Sequence, residues 1–423
     1  MAGCGIEVAR RSHRRMSLFK NFDGWSWYAL ALGVALQTST ALTSVLSVGA
    51  LLWAIRHPCD ILTAWRDLKI EPIFRAMLFL LGVILLGVPV ALLNGYAPWP
   101  MLGKHIPLLF FFIVLGLFLK PERRWAVFIG FGIGALLVLT TSLFSAASGL
   151  ALFNSTPDDF NTFRNHTEHN IFLGLTVFGL ATLLLRNGGR SGLDWLGWAM
   201  IWLAIFDILH LVHGRTGQIL LAPLLAAIVA YAIKRRRFTV AALTCCFGLL
   251  SILPSILGHQ SAVTSGIKAA EQDISSYQTG HAETSVGYRI DYFDTTVKLI
   301  RERPILGYGT GGFAPAYADY IKAHSLVQQT THNPHNDYLF YWAENGLPGF
   351  LAVIFLYLAM TYTAWRIGDL HGLWLSALTL AWALPSLANS VLLDHASSFV
   401  FATLLAALIA GPLPLNASVR TTL

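Results

Sequence analysis

Apolar residues in this chain come in long unbroken runs, interrupted at intervals by short clusters rich in Arg, Lys, Gly and Pro. A membrane-crossing helix needs about 20 such residues, and no stretch has the weak alternation of a membrane-barrel strand. The breaks predict an all-α polytopic membrane protein with twelve spans, near residues 24–38, 40–56, 73–94, 104–119, 124–147, 168–186, 192–212, 217–233, 238–257, 348–366, 371–389 and 394–412. The run over 24–56 also fits one long helix. A single connection is large, from about 258 to 347, and a shorter one covers 148–167. The chain thus divides into a first membrane block, 1–257, a loop, 258–347, and a second membrane block, 348–423.

Composition agrees with this reading. Hydrophobic residues make up 55% and charged ones 12%, with a mean hydropathy of +0.59, which an ordinary soluble domain of 423 residues does not have. With the N-terminus inside, twenty of the 29 Lys and Arg fall in cytoplasmic segments, among them Arg10, Arg56, Arg75, Arg124, Arg190, Arg237 and Arg420. That asymmetry puts both termini in the cytoplasm. The net charge of +7 then reflects membrane orientation, and no nucleic-acid partner is expected. No small-residue cleavage site follows Leu32–Leu36, so the basic N-terminus leads into an uncleaved first span. Cys4 and Cys59 fall inside and Cys245–Cys246 within a span, leaving no cysteine for an extracytoplasmic disulfide.

Chemistry is expected in the large loop. SVGYRIDYFDTTVKLIRERP (285–304) reads as a helix with Ile290, Phe293, Val297 and Ile300 on its apolar face, closed by Pro304. GYGTGG (307–312) matches a dinucleotide fingerprint literally, but no strand precedes it and no βαβ unit surrounds it, so a flexible turn is the expectation. HNDYLFYWAENG (335–346) predicts a short helix ended by Gly346, with Pro348 opening the next span. The turn at Asp394 and His395 reads as solvated.

Nine basic residues are left outside: Lys104, Arg164, Arg215, Lys268, Arg289, Lys298, Arg301, Arg303 and Lys322. Arg215 in HGRTGQ (213–218) sits in a connection barely six residues long, which holds its charge near membrane depth, where ionisable groups are costly and usually functional. Arg289 in SVGYR and Arg164 in FNTFRNHTEH could each be surface residues. His335 admits three readings: a metal ligand with His332 and Asp337, a plain helix-start histidine, or a general base, since imidazole titrates near neutral pH. No G-x-S-x-G elbow or Walker motif appears.

Taken together, these features resemble the O-antigen ligase family, membrane enzymes that join lipid-linked O-antigen to lipid A–core, within a superfamily that includes O-antigen polymerases and protein O-oligosaccharyltransferases. The architecture of twelve spans with one large loop between the ninth and tenth is similar over most of the chain. HNDYL resembles the family's H-N-x-x-L signature, which selects His335 over His332 as the essential histidine. SVGYR is similar to its S-x-x-x-R element and GRTG to its remaining basic motif, implying essential roles for Arg289 and Arg215. A Trp often found four residues after the second arginine is Phe293 here. The resemblance implies a periplasmic active site in a Gram-negative inner membrane, an undecaprenyl-diphosphate-linked O-antigen as donor, lipid A–core as acceptor, membrane lipids around the chain, and no cofactor or metal. In that setting Arg215 and Arg289 bind the diphosphate, His335 is the base, and Arg164, Asn336 and Tyr338 are further candidates for substrate contact. The alternatives are a polymerase or protein-directed relative and, from a different class, a transporter of an anionic solute bound at Arg215. The little soluble mass after the last span favours the ligase over the protein-directed enzymes.

Overall fold

The computed structural model describes residues 21–187, 191–259, 261–279, 283–326 and 328–411. The basic run before residue 21, Cys4, Arg190 and Arg420 lie outside the described residues. Regular structure among the described residues is helical apart from one isolated bridge between Thr156 and Asp159.

Helices α1 (Gly24–Thr38) and α2 (Thr40–Arg56) are separated only by Ser39, whose extended backbone ends one helix and whose hydroxyl caps the next. They fold back on each other, so Trp25 meets Trp53 with ring centroids 6.2 Å apart. The two-helix reading of 24–56 therefore holds. After α3 (Pro58–Leu68) come α4 (Pro72–Leu93), α5 (Trp99–Leu117), α6 (Pro121–Ser148), α7 (His166–Asn187) and α8 (Gly192–Phe206), the last running into a π-helical turn, Asp207–Leu211. Helices α9 (Arg215–Lys234) and α10 (Phe238–Ile256) complete the first membrane block. The large loop folds as α11 (Ala262–Gln278), α12 (Ser285–Glu302) and α13 (Phe313–Ala323). Then follow α14 (Asp337–Ile367), α15 (Leu370–Ala383), a 3-10 turn at Pro385–Leu387 and α16 (His395–Ile409).

Among the described residues nine helices are long and apolar enough to cross a membrane, and a tenth joins them if α2 and α3, bent by 91°, form one broken span. The expected twelve is not reached by this measure, because α1 and α16 have 15 residues each. Exposed Leu85, Leu86, Leu93, Ile219, Leu249 and Ile256 make a surface that only hydrocarbon would cover. The chain is a multi-pass membrane protein.

Backbone contact organises the bundle. Helix α1 lies against α6 through Gly33, Gly130 and Gly134; a Cβ on Gly130 would stand 2.0 Å from the Leu30 carbonyl oxygen. Small residues four apart let helices in lipid approach to backbone contact, where dispersion replaces the missing hydrophobic drive. Helix α7 is central and almost wholly buried. Arg56, Lys120, Arg123, Arg124, Lys234 and Arg366 cluster at the helix ends remote from the large loop, where Arg123 bonds Asp23 at 2.8 Å and Arg366 pairs with Glu71.

The GYGTGG stretch is neither a flexible turn nor an open cradle. Gly307, Gly309 and Gly311 have φ of 64°, 87° and 86°, and the segment from Gly307 to Thr310 is buried. Its N–H groups are already used: Tyr308 donates to Ala343 O (2.9 Å), Gly309 to Glu344 O (2.7 Å) and Thr310 to Gly87 O (3.1 Å). The glycines thus clip the loop onto α4 and α14. The Ala343 and Glu344 acceptors come from the last turn before Gly346, which breaks α14 at φ 64°, ψ −161°, as the sequence predicts for that glycine. A Cβ there would lie 1.9 Å from Ile305 O.

One further expectation needs correction. The buried face of α12 is Gly287, Asp291, Tyr292, Thr295, Thr296, Leu299 and Ile300, whereas Ile290, Phe293 and Val297 are only half-buried. Of the two placements open to this helix, the bundle or the lipid surface, it takes the bundle, packing on α14 with a buried face that includes tyrosine and threonine. The expected span 371–389 is observed as Leu370–Leu387, its α-helical part ending at Ala383 and a 3-10 turn completing it. Beyond Ala383, Pro385 and Ser386, and then Asn389–Leu393, form a buried shelf, while Asp394 and His395 are exposed as expected of a solvated turn.

Candidate active site

The end of the bundle that carries the large loop gathers three of the residues singled out by sequence: Arg215 at the start of α9, Arg289 in the first turns of α12, and His335 just before α14.

Arg215 is held by the way α9 begins. Gly214 and Gly217 press the first turn onto α7, where added Cβ atoms would come within 2.2 Å of His166 O and 2.3 Å of the Asn170 Cβ. Asn170 Nδ2 donates to Val212 O (3.2 Å) and Gly214 O (3.1 Å), and Gln218 Nε2 to Ile208 O (3.1 Å) and Val212 O (3.0 Å). Beneath lies a buried cluster: His169 Nε2 is 2.8 Å from Asp207 Oδ2, and Ser142 donates to the other oxygen of the same carboxylate. Asp207 opens the π turn that leads into the Arg215 loop, and such turns frequently mark functional positions. Above, Asp159 accepts from the His213 N–H (3.2 Å) and faces His166 (3.4 Å). Burial raises the Asp159 carboxyl, but those partners outweigh it and hold the group below its ordinary range. The side chain of Arg215 runs along α11, with its Cγ 3.5 Å from where a Gly266 Cβ would be.

Arg289 is half-buried. Burial, and then the charge of Arg215, disfavour its protonated form, although a guanidinium stays charged in a protein. His335 has φ +54°, a left-handed conformation that is uncommon for a non-glycine residue and is held only where surroundings over-determine it. Here Asn333 Oδ1 accepts from the His335 N–H (2.9 Å) and from Ser390 Oγ (3.0 Å). The imidazole lies near-parallel to the Tyr292 ring at 6.1 Å. Burial first, and then the positive charge of Arg289, push its pKa down, so the ring stays neutral and able to take a proton. Arg215 acts on Arg289 and Arg289 acts on His335, so the three form one electrostatic cluster.

The helix behind His335 is seated on the 384–394 shelf. Asn336 caps α14 by accepting from Leu339 N (3.0 Å) and donates to Leu387 O (2.9 Å). Asp337, fully buried, accepts from Ser386 Oγ (2.7 Å) and Leu392 N (3.1 Å), and Tyr338 donates to Ala383 O (2.9 Å). Asn389 joins the shelf to Thr216 at 2.8 Å, beside Arg215. Asn336 and Tyr338 therefore have their polar groups bonded to protein. So does Arg164, which is 3% exposed: it donates to Ala35 O (3.1 Å), Leu36 O (2.8 Å), Gln37 O (3.3 Å) and the Thr40 hydroxyl, closing the break between α1 and α2. His332 is exposed and Asp337 points into the shelf, and among the described residues no three such groups are placed to hold a metal ion.

Sequence reading missed Asp207, His169, Asp159 and the shelf. An ionisable residue inside the apolar run 192–212 was a usable signal for Asp207.

An uncharacterized protein of Haemophilus influenzae is 27% identical over 192 residues, which cover 43% of this chain and 42% of that relative. The chain thus spans less than half the length of the curated relative it matches. Residues 198–354 match the family model described as O-Antigen ligase. That stretch contains Arg215, Arg289 and His335, so the similarity to the O-antigen ligase family model spans the region that bears all three.

Proposed function

We propose that this protein is an O-antigen ligase: an inverting glycosyltransferase of the Gram-negative inner membrane that moves O-antigen polysaccharide from undecaprenyl diphosphate to a sugar hydroxyl of lipid A–core. The observation that carries the reading is the joining of Arg215, Arg289 and His335 into one electrostatic cluster at the loop end of the bundle. Arg215 and Arg289 bind the donor diphosphate, since the planar guanidinium pairs bidentately with phosphate oxygens and keeps its charge throughout. Two fixed cations stabilise the negative charge that grows on the diphosphate as the sugar leaves.

His335 takes the proton from the acceptor hydroxyl. The new C–O bond forms on the face of the anomeric carbon opposite the breaking sugar–phosphate bond, so configuration inverts. The depressed imidazole pKa keeps the base free at neutral pH. The basic residues at the other end of the bundle support a cytoplasmic location for that end and a periplasmic one for the cluster.

The test is transfer by purified protein in detergent and EDTA, given an undecaprenyl-diphosphate glycan and lipid A–core, with His335→Ala alongside. Wild type should yield glycan-bearing lipid A–core, and the variant should be slower by about 10²–10⁴-fold while remaining folded. Lengthening of the donor glycan instead would replace this reading with the polymerase, and normal transfer by the variant would remove His335 from the reaction.

A further inference from the structure

The helix that carries Arg289 also carries rings that the diphosphate chemistry does not use. Tyr288 and Tyr292, one turn apart on α12, lie near-parallel, with centroids 6.4 Å apart and planes inclined by 15°. The His335 imidazole continues the series beyond Tyr292 at 6.1 Å and 26°. Tyr292 is buried and braced by the edge of Tyr317 at 6.1 Å, so it serves as the middle of the ladder. Tyr288 is the half-exposed end, and its hydroxyl is fixed by donation from Gln329 Nε2 at 3.1 Å. The segment bonded to α12 at this point is rich in amides and hydroxyls: Gln328, whose Oε1 accepts from Thr295 at 3.1 Å, then Gln329, Thr330, Thr331 and Asn333.

An oriented aromatic face fringed by planar amides suits a pyranose. The axial C–H groups of the sugar present a slightly positive apolar patch to the negative π face, and its equatorial hydroxyls meet the amides at the rim. A tyrosine held for packing alone has no need of a half-exposed ring or of a rim that can hydrogen-bond in both directions. The ladder ends on the imidazole rather than on either arginine, which favours the glycan whose hydroxyl loses its proton over the one anchored through phosphate.

We propose that Tyr288 is a pyranose-stacking subsite for the acceptor glycan, leading it along the ring ladder to His335; this rests on the reaction proposed above. Initial rates of the full-length protein with donor saturating and lipid A–core varied would test it, using Tyr288→Leu, which keeps bulk without a π face, and Tyr288→Phe. Leu should raise the acceptor KM about tenfold while the donor KM and the saturating rate move by less than about twofold, and Phe should restore most of the affinity. An unchanged acceptor KM in the Leu variant, a change confined to the donor KM, or a lowered melting temperature with a matching fall in saturating rate would overturn the assignment. Saturation-transfer NMR with core oligosaccharide freed of lipid A reads the same contact without turnover. Loss of that signal in the Leu variant supports the subsite even if no transfer occurs, whereas failure of wild-type transfer counts only against the ligase reading.

Discussion

Replacing Gly309 with Ala tests whether the glycine cluster is a clip or a phosphate cradle. The backbone at this residue has φ +87°, which costs an L residue about 1–2 kcal/mol. The added Cβ would also stand 2.1 Å from Ala91 N, 2.5 Å from Ala91 Cα and 2.7 Å from Gly87 O, all backbone atoms of α4. That helix cannot retreat readily, because Gly87 is itself pressed against Asn345 and Thr310. The loop must lift instead, loosening the bonds from Gly309 N to Glu344 O and from Thr310 N to Gly87 O. Each is worth about 1 kcal/mol net, and a buried group left without a partner costs about 1–3 kcal/mol more. The sum expected is about 4–7 kcal/mol, read as a fall on the order of 5–10 °C in a thermal unfolding scan of purified protein by intrinsic tryptophan fluorescence. The donor KM of the surviving folded fraction should be nearly that of wild type. A Gly309→Ala protein that melts normally and shows only a raised donor KM would refute the clip.

Arg164→Leu should destabilise the protein by about 3–5 kcal/mol in the same scan, since it strands three helix-end carbonyls in the interior, while the donor KM of the folded protein stays unchanged; a kinetic defect without a stability defect would return Arg164 to the substrate. The acid limb of kcat/KM against pH should fall below the ordinary imidazole value of about 6.5, because burial and Arg289 lower the His335 pKa and activity is lost only when pH drops through that lowered value; a limb above it contradicts the base assignment. Asp207→Ala should cost about 3–5 kcal/mol by stranding buried His169, and adding His169→Ala should recover part of that loss; strict additivity in the cycle would mean that the two side chains are not coupled.

How much of this was readable in advance differs by residue. Arg215, Arg289 and His335 stood out because each lies in a short polar motif at the edge of an apolar run, and Gly346 because a glycine two residues before a proline can only end a helix. The shelf did not, since apolar LPSLANSVLL continues the preceding helix without a charge, and its function lies in carbonyls and N–H groups that composition does not reveal. The buried face of α12 escaped for a related reason: threonine and tyrosine turn inward there, and a hydrophobic-periodicity count ranks isoleucine and phenylalanine above them. Arg164 and Asp207 were visible as charges, but their partners lie about 130 residues and 38 residues away, and only the fold brings them together.

The shelf at Ser386–Leu393 is synthesised after the segment 198–354 that bears the arginines and the histidine, and it lies outside that segment. Ser390 holds the loop at His335, Leu387 and Leu392 hold the start of α14, and Asn389 reaches across to Thr216. Until these residues have left the ribosome, the loop at His335 and the start of α14 lack the bonds that the shelf supplies. Chain order thus delivers the two arginine loops ahead of the segment that seats the histidine, so a truncation before Ser386 would keep both cations and lose the bonds that hold the base.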